Sequence, residues 1–194
     1  MALKPASSPD ESARAREGAA RVVRTLRQAG HVAYFAGGCV RDELLGLHPS
    51  DYDVATDARP ERVRALFPRT AEVGVAFGVV LVSGHVDGQR VLTEVATFRA
   101  DGAYTDNRRP DAVHFSDPRA DAARRDFTVN AMFLDPLASP EPAGAGRGVH
   151  GAVIDYVGGR DDLARRVLRA VGDPDQRLAE DHLRALRAVR LGAK

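Results

Sequence analysis

The 194 residues carry 28 Lys and Arg against 27 Asp and Glu, a net charge of +1, and 44% of them are hydrophobic. That is the make-up of an ordinary globular protein with one good core, and the charge balance alone points to no polyanionic partner. No run approaches the roughly 18–20 apolar residues of a membrane span, so no membrane partner and a cytoplasmic location are expected; the single cysteine, Cys39, excludes an internal disulfide and a cysteine-built zinc site.

Residues 1–10 are expected to be a disordered lead. Residues 11–29 have an amphipathic helical pattern, with Ala15, Ala19, Val22, Val23 and Leu26 on one side and Gly30 as the stop. A short apolar strand over 31–36 runs into Gly37-Gly38, a helix follows over 40–47, and a second strand over 51–55. Pro60 opens a helix through Leu66. Strand-like runs cover 71–75, 77–83, 90–98 and 113–115, with a polar loop over 101–111. Residues 121–131 are expected to be mostly helical, 138–151 to be a Gly/Pro/Ala-rich insertion, and 153–157 a last strand. From Pro174 the periodicity is helical to Leu191, and the apolar face of that helix has little sequence left to pack against, so further helical chain is expected beyond it.

The chemistry gathers at Ser50-Asp51-Tyr52-Asp53-Val54. On an extended segment two Asp residues two apart point the same way, about 6–7 Å apart. Two carboxylates on one face call for a cation, and Mg²⁺ commonly joins one or two carboxylates to substrate phosphates. The alternative is Asp in a cap or turn; the apolar Val54-Ala55 continuation favours the metal. Gly37-Gly38-Cys39-Val40-Arg41-Asp42 reads either as a tight turn or as a glycine turn whose backbone N–H groups approach phosphates. Glu94, the lone charge in 91–98, either faces water on an edge strand or adds a third carboxylate to a two-metal clamp. Arg124 and Arg125, with Asn130 downstream, form a surface ion-pair helix or a triphosphate and sugar contact. Glu180, Asp181 and Arg184 are either i,i+3 and i,i+4 salt bridges or a base-reading pair. In the second reading Asp accepts from an exocyclic amino group and Arg donates to a ring nitrogen, which suits cytosine and adenine and refuses guanine and uracil. The six histidines show no ligand spacing, and Cys39 reads as a small buried filler.

Taken in order, Gly37-Gly38-Cys39-Val40-Arg41-Asp42, Leu44-Leu45-Gly46, Asp51-Tyr52-Asp53-Val54-Ala55-Thr56, Glu94-Val95-Ala96-Thr97-Phe98-Arg99, Arg108-Arg109-Pro110, Arg124-Arg125-Asp126-Phe127-Thr128-Val129-Asn130-Ala131, Gly158-Gly159-Arg160 and Glu180-Asp181-His182-Leu183-Arg184 resemble the class II tRNA nucleotidyltransferase and bacterial poly(A) polymerase family. The resemblance runs over roughly 29–191. It implies an α/β fold: a nucleotidyltransferase-type small mixed sheet with helices on one face over 11–157, then the start of a helical neck over 158–194, with the body and tail absent. It implies CMP and AMP addition from CTP and ATP to the tRNA 3′ end by two-metal Mg²⁺ catalysis. Asp51 and Asp53 would hold the metal with Glu94 in support. Gly37, Gly38 and Arg41 would meet the triphosphate, and Arg125, Asp126 and Asn130 the sugar and phosphates. Glu180, Asp181, Arg184 and Arg187 would contact the nucleotide, with Glu180, Asp181 and Arg184 choosing the base. Residues 101–109 would be a flexible loop coupling catalysis to nucleotide choice. Poly(A) addition, CC-only or A-only addition, and a nucleotide- or RNA-binding module without catalysis are the alternatives. The uncharged stretch after Glu72, through Leu81, favours CCA-type addition over poly(A) addition.

Overall fold

The computed structural model describes residues 8–72, 78–102, 113–139 and 150–193. Its chain forms two compact units, one of residues 1–97 with 133–154 and one of 98–132 with 155–194. The chain leaves the first unit after Thr97, returns at Phe133 and leaves again after Ile154.

The first unit is a seven-stranded mixed sheet in the order β3-β4-β5-β2-β1-β8-β9. Its strands are β1 (Ala33–Ala36), β2 (Asp53–Thr56), β3 (Thr70–Glu72), β4 (Val79–Val86), β5 (Gln89–Thr97), β8 (Phe133–Asp135) and β9 (Ala152–Ile154). Only β2 and β5 run parallel; every other neighbouring pair is antiparallel. Helix α1 (Pro9–Gln28) lies along β1, β2, β4 and β5, and α3 (Pro60–Leu66) packs on β4, β5 and α1, so both cover one face. That face is the apolar half of each strand's alternation, with Val22, Val23 and Leu26 of α1 meeting a layer that includes Phe35, Val54, Val80 and Val95. Each such side chain contributes on the order of 1.5–3 kcal/mol by leaving water. Helix α1 begins at Pro9, inside the expected disordered lead, because Ser8 and Glu11 form a reciprocal capping box. Helix α2 (Gly38–Leu44) stands against β1.

The second unit holds a two-stranded sheet of β6 (Arg99–Asp101) and β7 (Val113–Phe115), with α4 (Pro118–Ala123) on β6. It continues through a 3₁₀ turn at Thr128–Asn130, α5 (Gly159–Ala164), α6 (Pro174–Glu180) and α7 (Leu183–Gly192).

Several expectations give way here. Residues 121–131 are not one helix: α4 stops at Ala123, Phe127 is extended and bridges Ala170, and the 3₁₀ turn follows. Asp126 ends the helical run locally, its Oδ1 accepting the Phe127 N–H at 2.8 Å. The helix expected from Pro174 to Leu191 breaks at Asp181, whose backbone is extended and whose Oδ1 accepts the Leu183 N–H at 2.9 Å. Strand β8 was not expected at all, although Phe133 and Leu134 are fully buried. Of the expected 101–111 loop, Asp101 ends β6 and 103–111 lie outside the described residues, as do 140–149 of the 138–151 insertion.

Candidate nucleotidyl-transfer site

In the first unit the Asp-x-Asp segment keeps its alternation: Asp51 and Asp53 are exposed while Tyr52 between them is buried. Asp53 opens β2, whereas Asp51 lies ahead of the paired strand, which covers Asp53–Thr56 and not the expected 51–55. Ser50 Oγ donates to Asp51 Oδ2 at 2.9 Å. Ala36 at the end of β1 pairs with Asp53, so the glycine turn leaves β1 beside this carboxylate. Gly37 has φ 78° and ψ −128°, which a side chain would strain. At Gly38 an added Cβ would lie 3.6 Å from the Arg41 guanidinium. Arg41 is buried and grips its neighbour Asp42 through Nε at 2.9 Å and Nη2 at 2.7 Å.

On the other side β5 runs parallel to β2 with Val54 opposite Val95, and one step back along that register Asp53 stands opposite Glu94. Both are exposed and both point to the face opposite the buried Val54–Val95 layer. Asp53 therefore sits between the glycine turn and Glu94. The expected three-carboxylate clamp is not assembled, since among the described residues no three Asp, Glu, His or Cys side chains group closely enough to hold an ion. An exposed pair of aspartates on one side still fits a hard divalent cation, which needs only one or two carboxylates when phosphates complete its shell.

Cys39 is buried, with Sγ donating to the Ala36 carbonyl at 3.4 Å. Burial, reinforced by the Asp53 carboxylate nearby, pushes its thiol up to about 12, so it stays protonated as a packing residue.

The second unit carries the other candidate residues. Asp126 accepts from Arg187 Nε at 2.6 Å, and Asn130 Nδ2 donates to Asp126 Oδ1 at 3.4 Å. Arg125 binds Asp121 Oδ2 through Nε at 3.1 Å and Nη2 at 2.9 Å, and its Nη1 reaches the Asn130 carbonyl at 3.1 Å. Asp121, fully buried, also takes Arg124 Nη2 at 2.6 Å. Burial alone would raise its carboxyl, but Arg125 and Arg124 together hold it below the usual carboxylate range. Glu180 Oε2 accepts from Arg184 Nη1 at 2.6 Å and Arg177 Nη1 at 2.9 Å. Arg184 is buried and also donates to the Arg177 carbonyl at 2.8 Å. Thus Arg125, Asp126, Asn130 and Arg187 form one connected cluster, and Glu180 and Arg184 another. Asp181 is spent on the Leu183 N–H.

Reading by motif missed three groups that shape these clusters. Arg177 ties α6 to the Ala123 and Arg124 carbonyls at 2.9 and 3.2 Å. Asp121 anchors both arginines. Asp162 holds Thr128 Oγ1 at 2.7 Å and Arg169 Nε at 3.0 Å. Their only signal was a charged residue three, four or seven places from its partner, which surface helices also show. The 72–81 stretch that separated CCA from poly(A) addition has residues 73–77 outside the described ones.

A family model for the poly A polymerase head domain matches residues 33–169. The CCA-adding enzyme of Levilactobacillus brevis is 45% identical over 174 residues, covering 89% of this chain and 40% of that protein. Among solved structures, the CCA-adding enzyme of Bacillus stearothermophilus in complex with CTP superimposes with a TM-score of 0.74 at 38% identity, over 95% of this chain and 39% of that one. A tRNA nucleotidyltransferase complexed with a primer tRNA and an incoming ATP analog gives a TM-score of 0.62 at 28% identity, over 87% of this chain and 43% of its own. The chain thus spans about 40% of the length of the relatives it matches. With the match taking in the glycine turn, the Asp-x-Asp segment, Glu94 and the Arg124–Asn130 stretch, this chain belongs to the poly A polymerase head domain family.

Proposed function

We propose that this protein is the nucleotide-handling part of a tRNA nucleotidyltransferase that adds CMP and AMP, from CTP and ATP, to the tRNA 3′ end in the cytoplasm. The observation that carries it is the placing of Asp53 between the glycine turn and Glu94, with Asp51 exposed on the same side. Named relatives are CCA-adding enzymes, and solved ones hold CTP or a primer tRNA with an ATP analog.

Asp51 and Asp53 would hold Mg²⁺. When bound, it supplies charge stabilisation for the attacking and departing oxygens of an in-line displacement at phosphorus. Gly37 and Gly38 carry no side chain beside that pair, so their backbone would meet the triphosphate, and Arg41 would lend it positive charge. Glu94 adds negative charge next to Asp53. Arg125, Asp126 and Asn130 would orient the sugar and phosphates, and Glu180, Asp181, Arg184 and Arg187 the base. No side-chain nucleophile is needed.

Labelled CTP and ATP offered with tRNA lacking its 3′ end, in a protein of the relatives' length that contains this chain, test the reading. Incorporation should require Mg²⁺ and fall at least about a thousandfold on combined Asp51→Ala and Asp53→Ala substitution, a size typical of losing transition-state charge stabilisation. Undiminished incorporation would remove the metal role. The family description favours poly(A) addition as a second reading; a long run of AMP with no CMP in the product would establish it instead.

A further inference from the structure

Strand β5 carries more on its open face than Glu94. Val91, Thr93 and Val95 alternate onto the face that α1 covers: Thr93 and Val95 are buried, and a Cβ on Gly18 of α1 would meet Val91 Cγ1 at 2.7 Å. Arg90, Leu92 and Glu94 therefore share the other face with Asp53, each about 6–7 Å from the next along the strand. All three are exposed, Leu92 at 47%. Leu92 stands opposite Ser83 of β4, and Arg90 Nε donates to Ser83 Oγ at 3.0 Å, which holds the guanidinium beside Leu92. Arg69, also exposed, stands opposite Ser83 on the edge side, its carbonyl accepting the Ser83 N–H at 2.9 Å. Among the described residues neither Arg69 nor Arg90 pairs with a carboxylate. Carboxylate, apolar side chain and cation thus follow one another along β5, away from Asp53.

An in-line displacement puts the attacking and departing oxygens on opposite sides of phosphorus. The glycine turn, on the β1 side of Asp53, would take the departing pyrophosphate, so the attacking 3′ hydroxyl comes in from the β5 side. The strand that bears this hydroxyl then passes over Leu92 and Arg90. Its nucleosides have apolar faces for Leu92, and its phosphates supply the negative charge that the two arginines lack. We propose that Arg90 and Leu92, with Arg69 at the edge, form a track for the last nucleotides of the RNA acceptor strand. Leu92 meets the terminal nucleoside and Arg90 a phosphate behind it. The inference rests on the metal reading of Asp51 and Asp53, and a separate variant tests that reading.

In a protein of the relatives' length that contains this chain, kcat/KM for tRNA lacking its 3′ end is measured at saturating CTP and ATP over a range of salt. Arg90→Ala should lower it about five- to tenfold. The slope of log kcat/KM against log salt should also flatten by about 0.7, the share of one single-strand phosphate. Arg90→Lys, which keeps the charge, should restore the slope, and Leu92→Ala should lower kcat/KM with the slope unchanged. CTP affinity, measured on the 194-residue chain, should match the parent in all three variants. Either an unchanged kcat/KM or an unchanged slope in Arg90→Ala would overturn the proposal. So would an equal loss of CTP affinity, which would give these residues to the incoming nucleotide. Asp53→Ala tests the reading beneath: it should abolish the binding of Mn²⁺ to the 194-residue chain with CTP present, followed by electron paramagnetic resonance. Mn²⁺ binding that survives in Asp53→Ala strikes the metal reading and the inference with it; a flat result for Arg90→Ala strikes the track alone.

Discussion

Asp121 shows how a single carboxylate organises the Arg124–Asn130 cluster without being a candidate for contact. It takes Arg124 and Arg125 together, and Arg125 in turn holds the Asn130 carbonyl. With Asp121 fully buried and its two arginines still reaching solvent, Asp121→Asn should cost about 3 kcal/mol at pH 7, the low end for breaking a buried pair. Its folded-state pKa is held below that of the unfolded chain, where an aspartate titrates at about 3.9. The stabilisation is therefore complete above that value and is lost as pH falls through the lower, folded one. Urea melts of parent and variant at pH 7 and pH 3 check this: the gap between them should narrow at the lower pH, and a gap of equal size at both would exclude the ion pairs as its source.

The break between α6 and α7 is decided by one residue. Continuous helical periodicity predicted a single helix from Pro174, yet Asp181 adopts extended backbone and spends Oδ1 on the Leu183 N–H. Asp181→Asn keeps an oxygen for that bond and removes the charge, so the helices should hold while discrimination of CTP and ATP from GTP and UTP weakens. Asp181→Ala loses both and should also cost about 1 kcal/mol of stability, the usual worth of a cap. Competition binding of the four nucleotides, with melts alongside, separates the two effects; full discrimination in Asp181→Asn would return the residue to a purely structural role. Such breaks mark what was hard to read. Helix α3 at Pro60–Leu66 and strand β7 at Val113–Phe115 appeared where proline and apolar pattern placed them. So did the glycine turn and the exposed aspartates, because local chemistry sets those. Side-chain bonds to backbone, as at Asp126 and Asp181, override helical periodicity without altering it. Strand β8 escaped because Phe133, Leu134 and Asp135 are too few to show alternation, and only pairing with β1 makes them a strand. The Asp53–Glu94 neighbourhood was one of two readings open for Glu94, since a parallel register that joins segments about forty residues apart leaves no local pattern to decide between them.

At the scale of the whole molecule, the sheet that bears the carboxylates is not built from one stretch of chain. Strands β1 to β5 are complete by Thr97, but β1 then lacks its second neighbour until Phe133 returns. Phe35 pairs with Leu134 and Ala36 with Phe133, and all four side chains are buried. Losing a buried Phe and a buried Leu costs roughly 5–10 kcal/mol by the usual large-to-small values, against a total stability of about 5–15 kcal/mol for a domain. It would also leave β1 an open edge beside the glycine turn. A chain of residues 1–97 should therefore show no cooperative thermal transition by circular dichroism, although it contains every carboxylate and glycine of the proposed metal site. A chain of residues 1–155, which restores β8 and β9, should regain one. If 1–97 melts cooperatively and binds Mn²⁺ as the 194-residue chain does, the returning strands are dispensable and the carboxylate site is the property of a continuous N-terminal segment.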